Sequence, residues 1–309
     1  MGLRIRTNVQ SLVAQRHLGL STGEIQRSSE RLSSGYRINR SGDDAAGSAI
    51  STVLSGDIRS LSQAKRNTND GISLIETAEG GLNEISNIMI RLRELSVQAA
   101  SDTIGIRERQ YLNQEFFLLK DEIDRIALAT EFNGTRLLIG PEESIPEELL
   151  GRHNGAPLEI QVGKDYFPVT DAITQPNPMD IIRIDTSRLK AMTDGEGGLG
   201  LGSSLNEEGA RIDSKKDAQL SIATVDKAME KVASYRADLG AIQNRLEKTN
   251  ANLGIFIESL TGARSRILDV DFASETANMT QQTIMQQAGV SILAQANAHP
   301  QVALKLLSA

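Results

Sequence analysis

Long stretches of this chain place an apolar residue at alternating steps of three and four, a spacing that makes a helix present one continuous seam to partner helices. One run is Ile75, Ala78, Leu82, Ile85, Met89, Leu92, Ser96 and Ala99, in which only Ser96 is polar. A second is Leu112, Phe116, Leu119, Ile123 and Ile126. The longest begins Val225, Ala228, Val232, Tyr235, Leu239, Ile242, Leu246 and continues through Leu253 and Phe256 to Val270, broken only at Thr249. As one helix it would span roughly 70 Å, so a rod is expected. Proline agrees: six of the seven fall between Pro141 and Pro178 and the seventh is Pro300, so the long flanks lack helix breakers.

The remaining totals narrow the function. Only 3% of the 309 residues are aromatic and there is no tryptophan. Small and medium aliphatics suit thin helix-to-helix seams better than an enzyme core with a pocket. A net charge of −7 argues against nucleic-acid binding, which needs a basic surface to neutralise phosphate. Without cysteine there is no disulfide framework and no thiolate-ligated metal. No strictly apolar run exceeds four residues, which excludes a transmembrane helix and membrane insertion through one. The start, "MGLRIRTNVQSLVAQRH", lacks the apolar core of a cleavable signal peptide.

The ends and the middle differ from the flanks. Leu18, Ile25 and Leu32 keep the seven-residue spacing among serines and glutamines. From Phe272 to Ala309 the only charged side chains are Glu275 and Lys305. Such terminal helices bury little apolar area on their own and should gain order by packing on other subunits. In the middle, "LEIQVGKDYFPV" and "MDIIRIDTS" read as two strands joined by "TDAITQPNP". Residues 141 to 178 hold seven acidic side chains against two basic, so this element is expected to be exposed and acidic.

Motifs that could carry chemistry read as architecture. Gly195, Gly197 and Gly200 satisfy G-x-G-x-x-G, but no strand precedes them and no helix opens behind them, so a flexible loop is expected. His17, His153 and His299 lie in three regions and form no metal motif. "FNGT" at Asn133 reads as an Asn-Gly turn closing a helix. Glu84, Glu94, Glu122 and Asp124 read as solvated charges on outer helix faces. In "LSSGYRINRSGDDAAGSAIS", residues 32 to 51, Asp43 and Asp44 have neither the ligand spacing of an EF-hand loop nor the lysine of a P-loop. Gly35 and Gly42 are expected to interrupt one helix, with Ser41 or Asp43 capping the next.

That stretch, with "RNTNDGISLIETAEGGLNEI", "RLRELSVQAAS" and "DEIDRIALATEFNGTRLL", resembles the N-terminal block of bacterial flagellins. "ASYRADLGAIQNRLEKTNANL" and "ARSRILDVDFASETANMTQQTIMQQAGVSILAQAN" resemble the C-terminal block, so the likeness covers about residues 1 to 140 and 215 to 309. It implies a mainly α fold: an elongated rod of long antiparallel coiled-coil helices from both chain ends, with a small central β-hairpin. The implied divisions are 1–43, filament-core helix and connector; 44–140, N-terminal part of an outer rod domain; 141–215, variable central region; 216–265, C-terminal helix of the rod; and 266–309, C-terminal filament-core helix.

The resemblance also implies no catalytic site, cofactor or metal. It implies a homopolymer, an export chaperone, the flagellar type III export apparatus, a filament cap and hook-associated proteins as partners. Filament-core packing, by burial against other subunits, would fall on Leu18, Ile25, Leu32, Met285, Ala288 and Ile292, and Gly35, Gly42, Asp43 and Asp44 would form the connector. Arg91, Leu95 and Glu115 match the family's contacts for a flagellin-sensing Toll-like receptor, although Leu95 also flanks the heptad seam and Arg91 and Glu115 also read as a cross-helix ion pair. Leu304, Leu306 and Leu307 resemble the segment read by intracellular flagellin sensors, with "LKLLSA" departing from the usual ending. About 75 residues between the blocks leave little room for further outer domains, and the resulting filament would be thin. A hook-associated junction protein shares such helical ends and is the alternative. An enzyme housed in the central region would need a pocket that so short a segment does not provide.

Overall fold

The structure is a computed structural model and describes residues 8–140, 157–165, 179–194, 197–202 and 209–307, the side chains of 187 and 299–307 excepted. Five α-helices lie among the described residues: α1 (Val9–Ser34), α2 (Ala45–Ala99), α3 (Ile106–Ala129), α4 (Lys215–Leu268) and α5 (Phe272–Leu307). Between α3 and α4 come the antiparallel pairs β1 (Glu131–Phe132) with β2 (Thr135–Arg136), and β3 (Leu158–Gln161) with β4 (Ile181–Ile184). The chain forms two compact units, one of residues 1–58 with 258–309 and the other of residues 59–257.

The larger unit holds the principal core. Every member of the first heptad run, from Ile75 to Ala99, is buried, Ser96 included because its hydroxyl donates to the Leu92 carbonyl at 2.8 Å. Phe116 and Ile123 of α3 and Val225, Ala228, Val232, Leu239 and Leu246 of α4 close the other sides. Helices α2 and α4 run antiparallel here: Asn69 meets Asn250, and Arg93 pairs with Asp226 at 2.7 Å. The heptad pattern loosens toward the end of α4, where Phe256 is 48% exposed, and the helix stops at Leu268, two residues short of the Val270 that closes the pattern.

In the β-region the two expected strands pair antiparallel, and one expectation is corrected. Strands β3 and β4 are four residues each, and the connecting "TDAITQPNP" lies outside the described residues. The hairpin is not an exposed element throughout: β4 buries Ile182 and Ile184 in the helical core, and Ile181 is buried as well. Ile160 of β3 lies so close to α2 at Gly71 that a Cβ there would fall 2.3 Å from its Cδ1. Gly71 therefore serves as a seat for the hairpin.

The described residues among 189–212 have little regular structure and are held by side chains of α3 and α4. Asn113 accepts from the Ile212 amide, Asp124 accepts from the Thr193 amide and hydroxyl at 2.7 and 2.6 Å, and Lys231 donates to the Gly198 carbonyl. Lys120, fully buried, donates to the Ala210 carbonyl and lies 5.3 Å from the Phe117 ring centroid. Burial lowers its pKa to about 8, against the raising influence of Asp124, Asp121 and Asp194. Asp124 is thus a part-buried anchor and not a solvated outer charge, and burial raises its pKa. Gly197 and Gly200 take the left-handed conformation within this segment, as turn residues do, while Gly195 lies outside the described residues. Asn133 and Gly134 also take positive φ; the Asn-Gly turn is present but joins β1 to β2, α3 having already ended at Ala129.

Candidate functional site

The smaller unit pairs the two chain ends. Asn8 donates to the Ala296 carbonyl, Ser11 to Asn297, Gln286 to Thr22, and Ser28 to Glu275, so α1 and α5 run antiparallel. Their facing stripe is narrow and partly polar: Ser11, Ala14 and Ser28 on α1, and Glu275 and Ala296 on α5, are its buried members. Leu18, Ile25 and Leu32 are half-buried on the same α1 stripe, and Leu18 reaches Gly289. Small side chains let the two backbones come close, and hydrogen bonds satisfy the polar groups they bury.

The apolar side chains face outward. Leu12, Leu20, Ile284, Met285, Val290 and Ile292 are each more than half exposed, and Ala288 is exposed beside them. On α5, Phe272, Thr276, Thr280, Ile284 and Met285 line an open groove. This inverts the usual amphipathic helix, whose apolar stripe faces its own core. The resemblance points to Met285, Ala288 and Ile292 as packing positions, and all three are exposed here. The polar stripe from Glu275 to Ala296 carries no hydropathy signal and shows only in the cross-helix bonds.

Gly35, Asp43 and Asp44 lie between α1 and α2, at the end of the α1–α5 pair where α5 begins. Gly35 ends α1 in the left-handed conformation (φ 76°), its amide donating to the Arg31 carbonyl at 2.9 Å. The next residues pair with the break between α4 and α5: the Arg37 amide donates to the Leu268 carbonyl, the Val270 amide to Gly35, and the Arg37 guanidinium to the Ile267 carbonyl. Capping of α2 falls to Asp44, whose carboxylate accepts from the Gly47 amide at 2.9 Å, which corrects the assignment to Ser41 or Asp43. Asp43 turns back, accepting from the Arg40 and Asn39 amides, and these bonds lower its pKa. Gly42 sits in the turn between them.

In the larger unit, Arg91 donates to Glu115 at 2.8 and 3.0 Å and to Glu94 at 3.1 Å, and the Glu115 hydrogen bond is the main cause of its raised pKa. Both members of this cross-helix pair are open to solvent. Leu95 is fully buried, so its side chain offers no surface to a receptor. Helix α5 extends to Leu307, but the side chains of Leu304, Leu306 and Leu307 lie outside the described residues. Among the described residues there is no cluster of potential metal ligands, and no helix is long and apolar enough to cross a membrane.

Residues 5–142 match the bacterial flagellin N-terminal helical region, and residues 222–307 match the C-terminal helical region. A flagellin from Halalkalibacterium halodurans is 38% identical over 303 residues, covering 98% of this chain and 99% of that one. The chain belongs to the bacterial flagellin family. The flagellar filament 30.7 kDa core protein of Treponema maltophilum is 37% identical over 308 residues, 98% of this flagellin and 99% of the relative. A solved structure, that of a putative flagellar hook-associated protein from Vibrio parahaemolyticus, covers 72% of this flagellin and 100% of its own chain with a TM-score of 0.53. At 14% identity that likeness speaks for the fold alone.

Proposed function

We propose that this flagellin is a structural subunit that polymerises into the flagellar filament used for motility. The observation that carries the proposal is the outward apolar face of the α1–α5 pair: Leu12, Leu20, Ile284, Met285 and Ile292 are exposed around a polar seam. Covering such a face with further copies stabilises each subunit by about 25 cal/mol per Å² of apolar area removed from water. Near-full-length likeness to a flagellin and to a flagellar filament core protein supports the same reading and gives no support to a junction role.

In this reading residues 1–43 and 266–309 form the filament core, with Leu18, Ile25 and Leu32 closing the intrachain seam and Met285, Ala288 and Ile292 meeting neighbouring subunits. Residues 44–140 and 216–265 belong to the outer rod, and 141–215 form its central region. Gly35, Gly42, Asp43 and Asp44 join the layers. The subunit travels with an export chaperone through the type III export apparatus and adds beneath a filament cap, the filament being extracellular, sheathed or periplasmic. Toll-like receptor contact falls to Arg91 and Glu115, and intracellular sensing to Leu304, Leu306 and Leu307. Electron microscopy of the purified full-length chain after seeding tests the polymer: long uniform helical filaments support it, and persistent monomer beside competent seeds rejects it.

A further inference from the structure

We infer that Met285 is an oxidation-sensitive control point on subunit addition: conversion of its thioether to the sulfoxide by a peroxide removes a subunit from assembly. The inference rests on the polymer reading above. Met285 is 57% exposed and lines the α5 groove with Phe272 and Ile284, on the same face as Ala288 and Ile292. With no cysteine in the chain, no thiol intercepts the oxidant first. Met89 is fully buried, Met192 and Met229 are partly buried against the core, and Met279 is half-buried on the seam. Met179 is more open, at 77% exposure, but belongs to the other unit, beside β4.

The step is self-contained. A sulfur lone pair attacks one oxygen of hydrogen peroxide, the O–O bond breaks, and the departing hydroxide takes the proton of the delivered oxygen and leaves as water. Sulfur is oxidised by two electrons and peroxide is reduced. The product replaces a flexible apolar side chain with a polar one. Its S=O group is solvated in the free subunit and loses that water when a neighbouring copy covers the face, an unfavourable burial. Once covered, the unmodified thioether is shielded, so the control acts on addition and spares the finished polymer.

The test is seeded elongation after treatment of subunits with hydrogen peroxide, quenching, and location of the sulfoxide by peptide mass spectrometry. Treated parent chain and treated Met179→Leu should elongate slower by about tenfold or more, the scale of burying one polar group without a partner. Treated Met285→Leu should elongate at its untreated rate, methionine sulfoxide reductase should restore the treated parent, and peroxide applied to finished filaments should leave Met285 largely unmodified. Normal elongation by parent chain carrying the Met285 sulfoxide overturns the inference, as does equal inhibition of Met285→Leu. Failure of the untreated parent to elongate at all is a distinct result that removes the polymer reading beneath it.

Discussion

The Ser28 hydroxyl donates to the Glu275 carboxylate at 2.5 Å across the α1–α5 seam, and both residues are buried, at 5% and 8% exposure. Arg31, one turn along, lies 3.7 Å from the other carboxylate oxygen. A carboxylate in so narrow a seam is tolerated because both oxygens have partners. Replacing Ser28 with Ala should cost about 1–2 kcal/mol. Faster amide hydrogen exchange in α1 and α5, with exchange in α2 and α3 unchanged, is the expected readout.

Leu239 is 1% exposed in the seam between α4 and its neighbours. Leu239→Asp would bury a charge with no partner and should leave the larger unit unfolded or close to it. The gentler Leu82→Ala, at a fully buried position, should cost about 2–5 kcal/mol. Ile292→Ser, on the open face of α5, should by contrast leave thermal unfolding of the monomer nearly unchanged while weakening elongation. Circular dichroism melts beside elongation rates separate the three.

Lys120 gives the larger unit a pH signature. Burial lowers its folded-state pKa to about 8 from an ordinary value of 10.5, so between those pH values the unfolded chain binds more protons than the folded one. Stability from this group should therefore rise as pH increases from about 8 to 10.5. Lys120→Met, which keeps much of the volume, should flatten the rise. Denaturant titrations across that window provide the check.

Arg91 and Glu115 test recognition separately from folding. Because the pair is solvent-exposed on both sides, its loss should barely move the melting temperature. Arg91→Ala with Glu115→Ala should nonetheless reduce signalling in cells carrying the flagellin-sensing Toll-like receptor. Signalling equal to the parent chain's would place recognition elsewhere.

Much of the helical framework was legible in the residues, because heptad burial is a local, repeating signal: the positions from Ile75 to Ala99 predicted to form a seam are all buried. Elements that depend on distant partners were not. Gly71 looks like any helix glycine until Ile160 is placed against it, and Lys120 and Asp124 look like solvated charges until residues 193 and 210 cover them. Asp43 and Asp44 are equivalent capping candidates by type, and only the turn geometry hands the cap to Asp44. At the chain ends the apolar positions were legible, while the polar bonds from Ser28 to Glu275 and from Gln286 to Thr22 leave no hydropathy trace.

Removal of residues 275–309 deletes most of α5 and should abolish polymerisation while leaving the 59–257 unit folded. Filament growth by that truncated chain would show that the paired ends are dispensable.

The most direct measurement is a helical reconstruction of polymer grown from the full-length chain, asking where Ile284, Met285 and Ile292 lie. All three should be buried between α5 and helices of neighbouring copies, with the Ser28–Glu275 seam intact within each subunit. A filament in which those side chains face solvent, or no ordered filament despite competent seeds, would contradict the account.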